Sequence, residues 1–342
     1  MGTDLGDLVG KEEITLDYLQ GRKVGVDSYN IIYQFLASIR GQDGTPLMDS
    51  HGNVTSHLTG LLYRTVNLLD KGIKPVFVFD GIPPEQKRKT LEQRTKIRTE
   101  AIARHEKALK EGNLEEAKKY GSRALKLTDK MVEDAKQLLG LMGLPVVEAP
   151  SEGEAQIAQM ALRKDLYGCV SQDFDALLFG APVLLRNIAV TGKRKVPGRD
   201  LYIDVFPEKI ELEVVLKQLG IDRRKLVWIG ILIGTDFNEK FPSVGPKTAL
   251  KLVKENKKFE KIINATGFEP GFDYREIEKI FLEPKFSENY ELEFRVPEKE
   301  KIFDFLCGKH DFSEDRVKNA LSKLEEKAHE KGQQSRLDKW LR

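Results

Sequence analysis

Along the chain, short continuous apolar runs alternate with stretches in which apolar residues recur at helical spacing. Residues 23–26 form one short run, and it ends in an acid, Asp27. An amphipathic helix is predicted over residues 31–39, carrying Tyr33 and ending near Arg40. The 41–52 region is polar and rich in turn formers. A second helix is predicted over residues 55–71, with Leu58, Leu61, Leu62, Val66 and Leu69 on one face. Residues 75–79 are continuously apolar, which reads as a buried strand with Asp80 and Gly81 at its C-terminal end. Residues 131–142 read as a helix, 144–147 as a strand and 167–171 as another short buried strand. Strands alternating with helices predict an α/β fold with a mainly parallel central sheet flanked by helices. In such sheets the working site lies beyond the C-terminal strand ends. Further on, 183–188 and 200–205 read as strands paired around a Lys193-Arg194-Lys195 turn. Residues 226–233 read as a buried helix that delivers Gly234, Thr235 and Asp236. A loop from Phe241 to Lys247 leads into a helix over 248–254, and residues 259–330 hold helices and irregular segments without chemical assignment.

Residues 83–130 interrupt the alternation with a long polar helical stretch holding 14 basic residues against 8 acids. Lys87, Arg94 and Arg98 share one helical face, being seven and four residues apart. Apolar positions are too sparse here to bury a full face. Two readings stand side by side: a solvated helical hairpin, or a mobile basic insert that closes over an anionic substrate near Asp80.

Chemistry concentrates between residues 150 and 175, which hold two carboxylate pairs, Glu152 with Glu154 and Asp173 with Asp175. Ser151 is a good helix N-cap, and Glu154 three residues later completes a capping box. The positive end of the helix dipole keeps such acids ionised. Residues two apart in extended chain point the same way, so Asp173 and Asp175 can converge. Ionised carboxylates with no Arg or Lys among them repel unless a cation sits between them, and an all-oxygen ligand set suits Mg²⁺ or Mn²⁺ rather than zinc. The alternative is two helix-capping acids and two loop aspartates. Asp27 and Asp80, each at the end of an independent strand, move the balance towards a shared cation. The Gly245-Pro246-Lys247 loop at a helix start offers free backbone N–H groups to a phosphate, with Lys247, Lys251 and Lys254 along that helix.

At 342 residues, with 40% hydrophobic and 32% charged composition, one large or two smaller domains with ample core are expected. The net charge of +2 says nothing about partners until its segregation into the 83–130 stretch is seen. Two distant cysteines, Cys169 and Cys307, give no disulfide framework, which fits a reducing intracellular compartment. No leader or membrane span is expected. At the end, Gln334, Leu337, Trp340 and Leu341 set Leu and an aromatic at one-turn spacing on a polar tail, the pattern of an anchor for a partner groove.

The chain resembles the flap endonucleases, structure-specific 5′ nucleases of DNA replication and repair. The resemblance is carried over nearly the whole length by YQFL after Asp27, TSHLTG, YRT, VFVFDGIPP, APSEGEA, DFDAL, LIGTDF and VGPKTAL, and the wording near Asp49–Thr59 is similar to the archaeal branch. It implies a PIN-like nuclease core with a basic helical arch and a helix–two-turn–helix element. The implied division is 1–98 for the N-terminal core and start of the arch, 99–130 for the arch, and 131–258 for the intermediate core with the helix–two-turn–helix. Residues 259–332 would form a C-terminal helical part and 333–342 a sliding-clamp tail. It implies metal-cluster acids Asp27, Asp80, Glu152, Glu154, Asp173, Asp175 and Asp236, holding two Mg²⁺ ions for which Mn²⁺ can substitute. Lys87 and Arg94 would contact the scissile phosphate and act in catalysis. Tyr33 would stack on a base, and Arg40, Arg64, Glu152, Gly234, Asp236, Gly245 and Lys247 would also be in the DNA-binding set. A K⁺ ion would bridge the 243–247 loop to phosphate, although Ser243 stands where the family usually has Gly, and a left-handed turn there strains Ser. Gln334, Leu337, Trp340 and Leu341 would bind a PCNA-type clamp, with Leu341 where a second aromatic is usual. The implied activity is hydrolysis of DNA near the base of 5′ flaps, with 5′–3′ exonuclease activity, in Okazaki-fragment processing and base excision repair. The implied protein is a monomer without membrane association, cytoplasmic and nucleoid-associated in an archaeon or nuclear in a eukaryote. Two rival readings remain open on the residues alone: a non-catalytic adaptor for clamp and branched DNA, and a PIN-like ribonuclease. The latter lacks a long basic insert and a duplex-binding loop.

Overall fold

The computed structural model describes residues 3–41, 44–121, 124, 126–189, 192–195 and 202–324. Strands β1 (Glu12–Glu13) and β2 (Lys23–Asp27) are followed by helices α1 (Ser28–Ser38) and α2 (Ser56–Asp70) and by β3 (Lys74–Phe79). Then come α3 (Arg88–Lys110), α4 (Leu114–Gly121), α5 (Asp129–Leu141), β4 (Val146–Glu148), α6 (Gly153–Leu162), β5 (Cys169–Val170) and α7 (Asp175–Leu178). The next strands are β6 (Val183–Arg186), β7 (Gly192–Lys195), β8 (Tyr202–Val205) and β9 (Glu208–Glu211). Helices α8 (Leu212–Leu219), α9 (Arg223–Ile233), α10 (Pro246–Glu255), α11 (Phe259–Thr266), α12 (Tyr274–Leu282) and α13 (Lys299–Phe303) follow, α13 runs on into a π turn, Asp304–Gly308, and residues 314–324 are helical again.

Seven strands form one sheet in the order β1-β9-β6-β5-β2-β3-β4. The five from β6 to β4 pair in parallel, while β9 is antiparallel to β6 and to β1. This is the mainly parallel α/β sheet that the strand–helix alternation predicts. Strand β3 shows why its apolar run is unbroken. Val76 and Val78 enter the core on one face, while Phe77 and Phe79 enter the core on the other. A strand covered on both faces has no polar side to alternate with. The chain lays down β2, β3 and β4 in one direction and then returns to place β5 and β6 on the other side of β2. The order therefore reverses between β2 and β5, and a crevice opens beyond their C-terminal ends.

One expected pairing is corrected. Residues 193–195 do not turn β6 back onto 202–205. They lie in β7, which pairs with β8 in a separate two-stranded ribbon, Gly192 opposite Val205. Val183, Leu184 and Leu185 of β6 are buried and pair within the main sheet instead. A Lys-Arg-Lys run has no apolar face to offer a sheet covered on both sides, so it stays outside.

The polar stretch is a helical hairpin. The 23-residue α3 buries only Ala101 and Ala108, and α4 meets it through Ala117 and Gly121. Small residues let the two backbones approach with little apolar area. The hairpin foot rests on the α1–α2 connection, where the Arg40 guanidinium donates to the Leu36 and Gly44 carbonyls. Beyond α12, an extended segment crosses the core and is pinned by fully buried Gln156. That amide donates to the Ser287 carbonyl at 2.9 Å and accepts from the Ser287 N–H at 2.7 Å.

His57 of α2 is fully buried, and neither ring nitrogen has a hydrogen-bond partner among the described residues. Burial, with a smaller contribution from His310, lowers its pKa to about 4. Its folded value lies below its unfolded one, so the unfolded chain takes the proton first. Stability is therefore retained above pH ~6.5 and lost as pH falls from there towards 4. Urea unfolding at pH 4.5 and 7.5 should show His57→Leu losing about 2–3 kcal/mol less than wild type on acidification. Equal acid sensitivity of the two proteins would remove His57 as the cause.

Candidate active site

The strand ends bring the acids to one place. Asp27 is the last residue of β2 and caps α1, its Oδ1 accepting from the Asn30 N–H at 3.1 Å. Asp80 follows β3. Immediately after it, a Cβ on Gly81 would lie 2.1 Å from the Ala149 carbonyl oxygen, so only glycine lets this backbone cross the 149–151 segment. The Gly81 N–H donates to the Ser151 carbonyl at 2.7 Å and draws the start of α6 over Asp80.

Here the expected capping box does not form. The N-cap of α6 is Glu152, not Ser151, and it makes no side-chain cap bond. Asp80 supplies the cap from the neighbouring strand, its Oδ1 accepting from the Gly153 N–H at 2.7 Å. A Cβ on Gly153 would sit 2.8 Å from that oxygen, which explains the glycine between the two glutamates. With the cap supplied from outside, both glutamate carboxylates are released to face the crevice.

The Asp173/Asp175 pair also converges by another route than expected. The segment is not extended, because Phe174 is helical and Asp175 opens α7. Asp173 Oδ2 accepts from the Asn30 Nδ2 at 3.0 Å, and Asp175 Oδ1 accepts from the Thr3 N–H at 2.9 Å. Asp236 arrives past the end of α9, where Gly234 turns the chain with φ of 92°.

Two cations of the hairpin enter this group. Lys87 Nζ lies 2.6 Å from Glu152 Oε2 and 3.7 Å from Asp236 Oδ2, and its side chain is only 11% exposed. Arg94 Nη2 lies 2.6 Å from Asp236 Oδ1. Lys87 belongs to a 3₁₀ turn just ahead of α3 rather than to the helix itself. Arg98 bonds Thr95 instead of an acid. The expectation that no Lys or Arg stands among the acids is thus corrected.

The electrostatics follow from burial and like charge. Burial, then the charges of Asp80 and Asp173, hold the Asp27 carboxyl well above the usual range. Burial and the charges of Asp27, Asp175 and Asp173 do the same to Glu154. Burial raises Asp80, raises Glu152 to about 7 and raises Asp175 to about 6. Burial opposes the charge on Lys87, but Glu152, Asp80 and Asp236 outweigh it and raise its pKa. The acids share one electrostatic neighbourhood. Among the described residues, however, no three His, Cys, Asp or Glu side chains stand ready around a single ion position. What they hold here is Lys87, Arg94 and backbone or amide N–H groups. Their chemistry still fits an oxygen-preferring divalent cation, and the buried Oε1 of Glu154 has no hydrogen-bond partner among the described residues.

Around this centre, Tyr33 stands on α1 at 40% exposure. Arg40 is half-buried in its backbone bonds, with its Nη2 enclosed and without a hydrogen-bond partner among the described residues, and Arg64 is half-buried on α2. Gly245 is the N-cap of α10 with no side-chain cap, and Lys247, Lys251 and Lys254 are exposed along that helix. Gln334, Leu337, Trp340 and Leu341 lie outside the described residues. Asn30, Gly153 and Thr3 escaped the sequence reading. The only available signal was the position of Asn30 three residues after an acid that caps a helix.

Family models match two stretches, the XPG N-terminal domain over residues 5–101 and the XPG I-region over residues 143–236. The chain is 51% identical over 346 residues to flap endonuclease 1 of Thermococcus onnurineus, covering 100% of this chain and 99% of that protein. The chain belongs to the flap endonuclease family. Among solved structures, flap endonuclease-1 from Methanococcus jannaschii superposes with a TM-score of 0.76 at 42% identity, covering 96% of this chain and 100% of that one. The catalytic core of Rad2 in complex with DNA substrate shares the fold, with a TM-score of 0.69 at 23% identity over 95% of this chain and 100% of that one.

Ser243, exposed in the loop before α10, has φ of 61°. The left-handed region costs an L-residue about 1–2 kcal/mol, partly offset by the greater chain entropy that glycine loses on folding. Ser243→Gly should therefore gain about 0.5 kcal/mol in denaturant unfolding, and the β-branched Ser243→Val should lose stability. The opposite order of the two variants would show that the turn is not strained.

Proposed function

We propose that this member of the family is a metal-dependent, structure-specific 5′ flap endonuclease with 5′–3′ exonuclease activity. The observation that carries the reading is the placement of Lys87 and Arg94, from the base of the basic hairpin, on the Glu152 and Asp236 carboxylates at the open end of the sheet. Cations lent to acids in this way can be transferred to a phosphodiester that enters the same space.

Asp27, Asp80, Glu152, Glu154, Asp173, Asp175 and Asp236 would hold two Mg²⁺ ions, with Mn²⁺ able to replace them. Bound there, such ions supply Lewis-acid activation of water and neutralise the leaving oxygen. The chain's own groups do the rest. Lys87 and Arg94 would move from carboxylate to phosphate and stabilise the charge that grows in the transition state. Exposed Tyr33 would stack on the base beside the cut. Arg64 would contact the backbone, and so would Arg40 once its guanidinium leaves the Gly44 carbonyl. Gly234 and the Gly245–Lys247 helix start would grip duplex phosphate, with the 243–247 loop as a K⁺ site. Phosphate contacts position the duplex without reading bases, so the substrate would be chosen by shape. The setting that suits this activity is Okazaki-fragment processing and base excision repair, by a monomer in the compartment that holds the DNA. The tail residues Gln334, Leu337, Trp340 and Leu341 would dock a PCNA-type clamp.

Single-turnover cleavage of double-flap DNA with and without Mg²⁺ tests the reading. Asp173→Ala should lower the rate by at least ~100-fold while flap binding in EDTA persists. Replacing Lys87 and Arg94 with Ala should lower the rate more than the affinity. Full activity in Asp173→Ala would discard the metal assignment, and a pure affinity loss in the double variant would reduce the two cations to binding groups. Deleting residues 333–342 should leave free-flap cleavage intact and abolish stimulation by the clamp, and stimulation that survives would exclude the tail as the contact.

A further inference from the structure

Asn30 has the most organised set of contacts at the site without any role in the scheme above. Its backbone N–H donates to Asp27 Oδ1 at 3.1 Å. Its side-chain Nδ2 donates to Asp173 Oδ2 at 3.0 Å. Its Oδ1 accepts from Gln34 Nε2 at 2.6 Å and from the Gln172 N–H at 3.3 Å. These contacts fix which way the amide points. A backbone N–H can only donate, so the oxygen must face Gln172, and the NH₂ group is left to face Asp173. Gln34, one turn further along α1, adds a second donor to the same oxygen.

The position matters because of where the sheet ends. Strands β2 and β5 pair only at Gly25 with Cys169 and Val26 with Val170. The ladder stops before either acid, at the point where strand order reverses. Beyond it, the Asn30 side chain ties the 172–173 segment to α1, while its backbone holds Asp27. One residue thus spans the gap between two acids that repel each other.

We propose that Asn30 is a positioning residue that keeps the Asp27 and Asp173 carboxylates in register for a divalent cation. The inference rests on the reading of those acids as metal ligands. Groups that orient ligands in this way typically contribute about 10–100-fold in metal affinity or activity.

The test titrates Mn²⁺ into the DNA-free full chain by calorimetry. Asn30→Leu, close to Asn in size, should bind Mn²⁺ about 10–100-fold more weakly than wild type. Its circular dichroism and flap-DNA affinity in EDTA should be unchanged. Its single-turnover rate on flap DNA should fall and then recover as Mn²⁺ is raised. Asn30→Ala keeps the backbone bond to Asp27 and carries the same test should Asn30→Leu not fold. Gln34→Leu, which removes one of the two donors on the Asn30 amide oxygen and leaves the Gln172 N–H, should fall between wild type and Asn30→Ala. Wild-type Mn²⁺ affinity in folded Asn30→Leu or Asn30→Ala overturns the proposal. Wild-type affinity in Asp173→Ala overturns the metal reading beneath it, so the two failures are told apart.

Discussion

The constraint on which this molecule turns is repulsion among buried carboxylates. Asp27, Asp80, Glu152, Glu154 and Asp175 all sit where burial and neighbouring acids push protonation upward. A group of this kind is compensated by protons, by cations or by N–H donors. The structure shows the second and third together. Lys87 lies against Glu152, Arg94 against Asp236, the Gly153 N–H against Asp80, and the Thr3 N–H against Asp175. Removing one partner of a buried ion pair commonly costs about 3–5 kcal/mol. The small apolar seam of Ala101, Ala108, Ala117 and Gly121 joins the two hairpin helices to each other, while Lys87 and Arg94 tie the start of α3 to the acids by charge.

The fold supplies the place by topology and the precision by close backbone approach. The reversal of strand order between β2 and β5 opens the crevice. Gly81, crossing the Ala149 carbonyl, then lowers the start of α6 onto Asp80. That contact replaces the cap that Ser151 could have given. It uses Asp80 twice, as a helix cap and as a member of the acid group. The same economy holds at α1, where Asp27 caps the helix whose Asn30 reaches Asp173.

Much of this is legible in the chain, for physical reasons. Residues 75–79 are apolar without a break because Phe77 and Val78 meet opposite cores, so the strand and its parallel setting can be read directly. The acids at strand ends announce themselves in the same way. The reading fails where a partner comes from far along the sequence. Ser151 has the right composition for a cap, yet a carboxylate 73 residues before Gly153 accepts from that residue's N–H instead. Asp173 and Asp175 have the spacing of an extended pair, but Phe174 has already turned helical. The Lys-Arg-Lys run at 193–195 has the polarity of a turn and forms a ribbon strand instead, since its partner 202–205 supplies hydrogen bonds outside the main sheet. Asn30 is invisible for the same reason, because its worth lies in Gln172 and Asp173, more than a hundred residues on.

The Lys87–Glu152 contact also bears on how such a site can be both stable and open to substrate. An ion pair whose partners are about one-tenth exposed gains little net stability over an apolar pair, because desolvation offsets attraction. It does impose a rule of exchange. Lys87 can leave Glu152 at low cost only when another anion receives it and another cation receives Glu152. A phosphodiester arriving together with divalent cations meets both conditions at once, whereas either alone leaves a buried charge uncompensated. On the proposed function, the acid group and the basic hairpin would be two halves of a single electrostatic exchange. The energy that holds the hairpin down without substrate is of the same kind as the energy that would position the phosphate in its presence.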